Sequence, residues 1–308
     1  MKLSIILCTY NNASSLGRTL NEINQCLIPP DCDVELLCVD NKSSDNTRQV
    51  VNAACKHSSF SFQYLYEENQ GLSYARNLGL AAATGDYILF TDDDAQINSG
   101  WIVNYCNSIQ HEQPDCLYSQ IFIIWDKPKP WWYLKEYAPF FVHLDYGAES
   151  TLIADYQHEF FGKNFCIRRA LLNEFGGFDP RLGRCGDKLI AGEETLIYKR
   201  LIAGNYKVMY FPSASVGHRL KAREYELENM NKMYSDSAYS LFHILKMTAT
   251  KKILGRPIYP LKLSILQLPL HIMALLGYAL VGRRARMVYH YFLAIKYFKV
   301  IWLWLLNP

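Results

Sequence analysis

Tyr87–Phe90 is a short apolar, aromatic run, and just beyond it the chain places three adjacent carboxylates, Asp92, Asp93 and Asp94. A run of that length and composition predicts a buried strand. In an open α/β sheet the carboxyl ends of the strands are where ligands bind. Three like charges side by side repel, so they cost stability unless a cation is shared among them. Hard oxygen ligands of this kind suit Mg²⁺ or Mn²⁺ held together with substrate phosphates. The plain alternative is an Asp-rich turn in water. The rest of the chain decides between the two.

Leu3–Cys8 is a continuous apolar run, as expected of a strand covered on both faces. It ends in Thr9-Tyr10-Asn11-Asn12. A helix is predicted to about Cys26, with Leu16, Leu20, Ile23 and Leu27 at helical spacing, before Pro29-Pro30 stops it. Val34–Val39 is a second buried strand ending in Asp40. The turn-rich Asn41–Thr47 follows, then a helix through Val50, Val51 and Ala54. Phe62–Tyr66 is a third strand, Tyr74–Ala83 a third helix, and Gly85 its stop. Strand and helix alternate through the first hundred residues, the pattern of a doubly wound, mostly parallel sheet. Parallel strands bring Thr9 to Asn11, Asp40, and Asp92 to Asp94 to one edge. No G-x-G-x-x-G follows the first strand and no G-x-x-x-x-G-K-[ST] occurs, which disfavours dinucleotide oxidoreductases and P-loop ATPases.

The order and spacing of "SIILCTYNN", "CVDNKSSDNT", "NQGLSYARNLGL" and "GDYILFTDDDA" resemble the nucleotide-binding half of family 2 glycosyltransferases of the GT-A fold. Cys8 stands where many members have Pro. The resemblance implies roles. Thr9 and Asn11 would line the base and ribose pocket, and Asp40 would bond the base. Arg76 would sit near the base or diphosphate. Asp92 would take the ribose and Asp94 the divalent cation, Mn²⁺ or Mg²⁺, with Asp93 either a ligand or a solvated neighbour. Read as residues alone, Thr9 and Asn11 are also turn formers, Asp40 an Asx turn or cap, and Arg76 a helix-surface charge or an ion-pair partner of the acidic cluster.

Further along, "FGKNFCIRRALLNEFGGFDPRLGR" and "AGEETLIYKRLIAGNYKVMYFPSASVGHR" resemble the acceptor half of the same family. Gly162 and Asn164 fit a tight turn into a strand. Glu193 and Glu194 open a helix, where the macrodipole alone favours acids. The resemblance makes Glu194 the general base, with Glu193 as alternate, and His218 a metal or diphosphate contact. Between the halves, Trp101–Ile109 is predicted helical and Cys116–Trp125 a strand. A loop with Trp131 and Trp132 would suit a sugar or simply pack.

From Ser237 to the end there are ten Lys/Arg and no Asp/Glu, which leaves 22 basic against 29 acidic residues in 1–236, a net −7. The basic part is also the apolar part, which favours a membrane surface over nucleic acid. Leu263–Gly282 carries no formal charge and is long enough to cross a bilayer. A monotopic or re-entrant helix pair is preferred over a single span or a soluble subdomain. Nine scattered cysteines without a C-x-x-C pair indicate reduced thiols.

The expectation is therefore a GT-A domain over 1–236, with a nucleotide half to residue 100 and an acceptor half beyond it. A basic, membrane-associating helical region would cover 237–308. The resemblance implies an inverting, metal-dependent transferase using a UDP-sugar. Its acceptor would be a glycan or lipid-linked sugar, at the cytoplasmic face of the inner membrane, in surface-polysaccharide synthesis. The alternatives are a polyprenyl-phosphate sugar synthase and a catalytically silent assembly partner.

Overall fold

The computed structural model describes residues 1–249 and 251–306. Two compact units are present. The first comprises Met1–Ile124, Phe141–Arg181 and Glu193–Arg219; the second comprises Trp125–Phe140, Leu182–Gly192 and Leu220–Pro308. The segments 125–140, 182–192 and 220–236, which the sequence assigns to the acceptor half, belong to the second unit together with the tail.

The first unit is built on strands β1 (Lys2–Thr9), β2 (Asp33–Asp40), β3 (Ser61–Tyr66) and β4 (Tyr87–Asp92). They alternate with helices α1 (Ala13–Asn24), α2 (Thr47–Cys55) and α3 (Leu72–Ala82). The remaining strands are β5 (Ala95–Gln96), β6 (Cys116–Tyr118), β7 (Ile121–Ile124), β8 (Thr151–Ile153), β9 (Phe165–Arg168), β10 (Val208–Tyr210) and β11 (Val216–Arg219). Helix α4 is Trp101–Glu112, α5 Arg169–Glu174 and α6 Glu193–Ala203.

The main sheet runs β3-β2-β1-β4-β9-β6-β10-β8. The first four strands pair in parallel, as the alternation predicts, and β9 enters antiparallel between β4 and β6. Leu3, Ile5, Ile6, Leu36, Leu37, Ile88 and Leu89 are fully buried, which is why these strands read as unbroken apolar runs. The one charge inside them, Glu35, accepts bonds from Ser4 Oγ at 2.5 Å and from Thr84 N and Oγ1 at 2.7 Å. A buried carboxylate is tolerated when donors meet it this way.

The predicted strand Cys116–Trp125 is two strands in different sheets. The chain leaves the main sheet at Ser119, whose N–H bonds Asn164 O, and β7 joins β11 and β5 in a small three-stranded sheet. That small sheet positions the site. β5 continues from the acidic cluster, and it pairs with β11 in a register that sets Ala95 against His218.

In the second unit, α7 (Leu227–Thr248) is followed by α8 (Ile258–Leu280) and α9 (Arg284–Leu306). His271 stacks on Tyr297 and Tyr278 on His290, the pairing of an antiparallel hairpin. Phe140, Tyr234 and Phe292 stack in series where α7, α9 and the 125–140 segment meet.

Candidate active site

Three strand ends converge, and hydrogen bonds join them. Thr9 Oγ1 donates to Asp93 Oδ2 at 2.8 Å, and Asn12 Nδ2 to Asp93 Oδ1 at 2.7 Å. Asn11, at φ +47°, receives Ser44 N on its side-chain oxygen at 2.7 Å and donates its own N–H to Ser43 Oγ. Asn tolerates that left-handed backbone. Asp40 is buried; it takes Ser43 N at 2.9 Å on one oxygen and Tyr64 OH at 2.8 Å on the other. So Thr9, Asp93 and Asp40 hold the strand-end loops to one another. Asn11 stays on the exposed rim.

Asp92 and Asp94 differ from Asp93. Asp92 keeps 32% of its side chain exposed, the most open of the three, and Lys163 Nζ lies 3.2 Å from its Oδ2. The same ammonium is hydrogen-bonded to Asp94 Oδ1. Strand register explains the meeting. β9 pairs antiparallel with β4, Phe165 against Phe90, so two residues beyond the last pair Lys163 falls opposite Asp92. The turn that carries it is fixed by Asn164. Asn164 Oδ1 accepts from Trp101 Nε1 and Tyr105 OH, both at 3.0 Å, and its Nδ2 donates to Gln120 O and Ala214 O. Burial would lower the Lys163 pKa, but Asp94 and Asp92 outweigh it and hold it above the ordinary lysine value. Burial pushes Asp92 up; Lys163 outweighs that and holds its carboxyl below the usual range.

His218 is buried, with Nε2 3.8 Å from Asp94 Oδ2 and Nδ1 2.8 Å from Phe141 O. A carbonyl only accepts, so Nδ1 carries the hydrogen and Nε2 is the nitrogen turned toward Asp94. One imidazole nitrogen and one carboxylate oxygen fit two positions of a Mg²⁺ or Mn²⁺ shell whose remainder comes from diphosphate and water. Among the described residues no cluster of three or more His, Cys, Asp or Glu could hold a metal alone. The donor set therefore fits a cation that arrives with phosphates.

On the other flank, Arg76 Nη1 donates to Glu193 Oε1 at 2.7 Å and lies 3.8 Å from Glu194 Oε2. Its guanidinium stacks between Phe90 and Phe178. Arg76 is thus buried against the glutamate pair, a pairing not anticipated from the sequence. Burial pushes the Glu193 carboxyl up, and Glu194 adds to it against the pull of Arg76, to about 8. Glu194 is more open, with 14% of its side chain exposed, and its Oε1 accepts the Gly162 N–H at 3.3 Å. A third carboxyl, Glu159, accepts from Thr195 Oγ1 at 3.4 Å; burial first, then Glu194, raises it to about 7.

Lys163, Glu159, Asn12 and Tyr64 were not singled out from the sequence. A lysine wedged between a turn glycine and an apolar strand was the available signal for Lys163. The other three depend on partners far away in the chain.

Residues 4–176 match the family described as Glycosyl transferase family 2. The chain belongs to that family. A family 2 relative, the glucosyl-dolichyl phosphate glucuronosyltransferase of Haloferax volcanii, is 25% identical over 234 residues, which is 71% of this chain and 70% of that protein. Two other curated relatives are matched over only 28% and 33% of their own length. Among solved structures, the mannosyltransferase PcManGT from Pyrobaculum calidifontis, in complex with GDP-Man and Mn²⁺, superposes with a TM-score of 0.66. It is 18% identical, over 97% of this chain and 87% of that one. Residues 1–349 of S. aureus TarS in complex with UDP give 0.56 at 18% identity, over 97% and 91%. These likenesses establish the GT-A fold, and family membership makes the chain a glycosyltransferase.

Proposed function

We propose that this glycosyltransferase moves a sugar from a UDP-linked donor to a glycan or lipid-linked acceptor, with inversion, in cell-surface polysaccharide synthesis. The observation that carries the reading is the Gly162–Lys163 dipeptide. Its first residue holds Glu194 through a backbone N–H, and its second holds Asp92 and Asp94 through an ammonium. A base and a donor cluster are thereby within one side chain's reach of each other.

The chemistry needs both. Glu194 takes the proton of the acceptor hydroxyl as that oxygen bonds to the anomeric carbon. The bond from that carbon to the diphosphate oxygen breaks, and its electron pair leaves with the diphosphate. Asp94 and His218 are the residues that would hold Mg²⁺ or Mn²⁺, which when bound supplies positive charge to the departing diphosphate. Asp92 faces the ribose from its half-open position. Arg76 and Glu193 position Glu194. A single displacement needs no second carboxylate as nucleophile, in contrast with retaining glycoside hydrolysis. The Haloferax relative is named for a dolichyl phosphate-linked sugar, which supports a lipid-linked acceptor here. The ligands named with the PcManGT and TarS structures support a nucleotide donor. The basic, apolar 237–308 region supports a location at the cytoplasmic face of the inner membrane.

The test is calorimetry on the full chain in detergent, with UDP, GDP and dTDP, with and without Mn²⁺, beside Asp94→Ala and Glu194→Gln. UDP binding should require or be strengthened by Mn²⁺ and weaken in Asp94→Ala. Glu194→Gln should keep that binding and lose about 10²–10⁴-fold in turnover of a UDP-sugar. Preference for GDP or dTDP would change the donor. A folded protein that binds no nucleotide would overturn the reading.

A further inference from the structure

The acidic cluster already contains a cation. Lys163 is 1% exposed, its ammonium bridges Asp92 and Asp94, and the rigid Asn164 turn leaves it little freedom. It sits on the Oδ1 side of Asp94, while His218 Nε2 faces Oδ2. One carboxylate therefore offers one oxygen to the ammonium and the other to the imidazole. Two adjacent carboxylates without a counter-charge would bind a divalent ion strongly on their own. With an ammonium between them that attraction is largely offset, and only the Asp94–His218 pair is left to receive a metal.

We propose that Lys163 is a resident counter-cation that suppresses metal binding by the empty enzyme, so that the divalent ion enters only with the donor's diphosphate. This rests on the nucleotide-sugar reading above. The diphosphate supplies the ligands and negative charge that a two-residue shell lacks, and the ammonium remains beside it as a fixed hydrogen-bond donor for phosphate oxygens. Metal and nucleotide binding are then strongly coupled, each raising the affinity of the other by the same factor. A metal-loaded site without donor, which would hold carboxylates and water in an unproductive arrangement, is avoided.

The experiment is a Mn²⁺ titration of the full-length protein in detergent, read by the EPR signal of the unbound ion, with and without UDP. Wild type is compared with Lys163→Met, which keeps the chain length and removes the charge, and Lys163→Arg, which keeps the charge. Without nucleotide, Lys163→Met should bind Mn²⁺ more tightly than wild type by about tenfold or more. UDP should raise wild-type Mn²⁺ affinity by a larger factor than it raises that of Lys163→Met. Lys163→Arg should follow wild type. Equal or weaker Mn²⁺ binding by Lys163→Met overturns the proposal, as does a Lys163→Arg protein that gains affinity like the methionine variant. If Lys163→Met does not fold, the Lys163→Arg arm and a thermal melt decide. Mn²⁺ alone should leave the wild-type melting temperature unchanged, and a large rise with Mn²⁺ alone overturns the idea. The two readings fail separately, because wild type that binds no nucleotide sinks the donor assignment whatever Mn²⁺ does alone.

Discussion

At the scale of single residues, the site sorts its carboxylates by their neighbours. Asp93 and Asp40 are held by neutral donors, Asp92 and Asp94 by an ammonium, and Glu193 by a guanidinium. Glu159 is met by the Thr195 hydroxyl, and burial together with Glu194 outweighs that bond and the Lys199 charge, raising it from the ordinary 4.5 to about 7. The sign of its pH effect follows. A raised carboxyl pKa means the folded state binds the proton more tightly than the unfolded one, so its contribution to stability is present below 4.5 and is lost as pH rises to 7. Glu159→Gln cannot titrate. The melting temperature of wild type minus that of Glu159→Gln should therefore fall between about pH 4.5 and 7 and then level off. Melting curves of both proteins across that range check it, and a constant difference would show that Glu159 titrates normally. Much at this scale was legible in the sequence as location but not as role. Gly162 bonds Glu194, Lys163 bridges Asp92 and Asp94, and His218 faces Asp94. Arg76 pairs with Glu193, which lies 117 residues away in the chain, and no local pattern reports such a pairing.

At the scale of elements, the four β-α units were readable because each buried strand is an unbroken apolar run and each helix shows its own period. The regions read less well are those whose conformation is set by another element. Cys116–Trp125 looks like one strand, yet Asn164 bonds draw its middle out of the sheet. The turn before β9 is a similar case. Gly162 is required there by close approach rather than by backbone angle. A Cβ at that position would stand 2.0 Å from Arg76 Nη2 and 2.8 Å from Cζ. The guanidinium is confined by Phe90, Phe178 and Glu193, so it has no free direction in which to move. Gly162→Ala should therefore displace Arg76 and loosen Glu194. A loss of about 1–3 kcal/mol in urea unfolding is expected from the overpacking, with a fall in turnover larger than the fall in UDP affinity. Gly176→Ala is a control of different origin. Its Cβ would meet nothing within 4 Å and its cost would come from φ +75° alone, so turnover should survive any lost stability.

At the scale of the whole molecule, the proposed membrane association raises the question of how the basic, apolar tail would meet a bilayer. Among the described residues one helix, α8, is long and apolar enough to cross a bilayer. The packing of the second unit argues that it lies flat instead. Helix α9 is tied by polar contacts at both ends. Arg286 pairs with Glu136; Lys299 donates to Ser235 Oγ at 2.6 Å and lies 3.8 Å from Asp236. Those ties are about 20 Å apart along the helix, most of a bilayer core. If α8 crossed, its hairpin partner α9 would cross with it and carry the Lys299–Asp236 pair and the polar face of α7 into hydrocarbon, which is costly. Lying in the interface avoids this. Leu266, Leu270, Met273, Leu276 and Leu280 are exposed at three- and four-residue steps, a stripe suited to acyl chains, and Arg283 and Arg284 at the hairpin turn suit anionic headgroups. A protease site inserted after Gly282 in full-length protein, reconstituted in vesicles containing anionic lipid, separates the two arrangements. In the flat arrangement that site is cut from the same side as a site at the amino terminus, and Leu270→Asp with Met273→Asp releases the protein from the vesicles. Cleavage only from the opposite face would mean that α8 and α9 both cross, and that the ion pairs seen between α9 and its neighbours break on insertion.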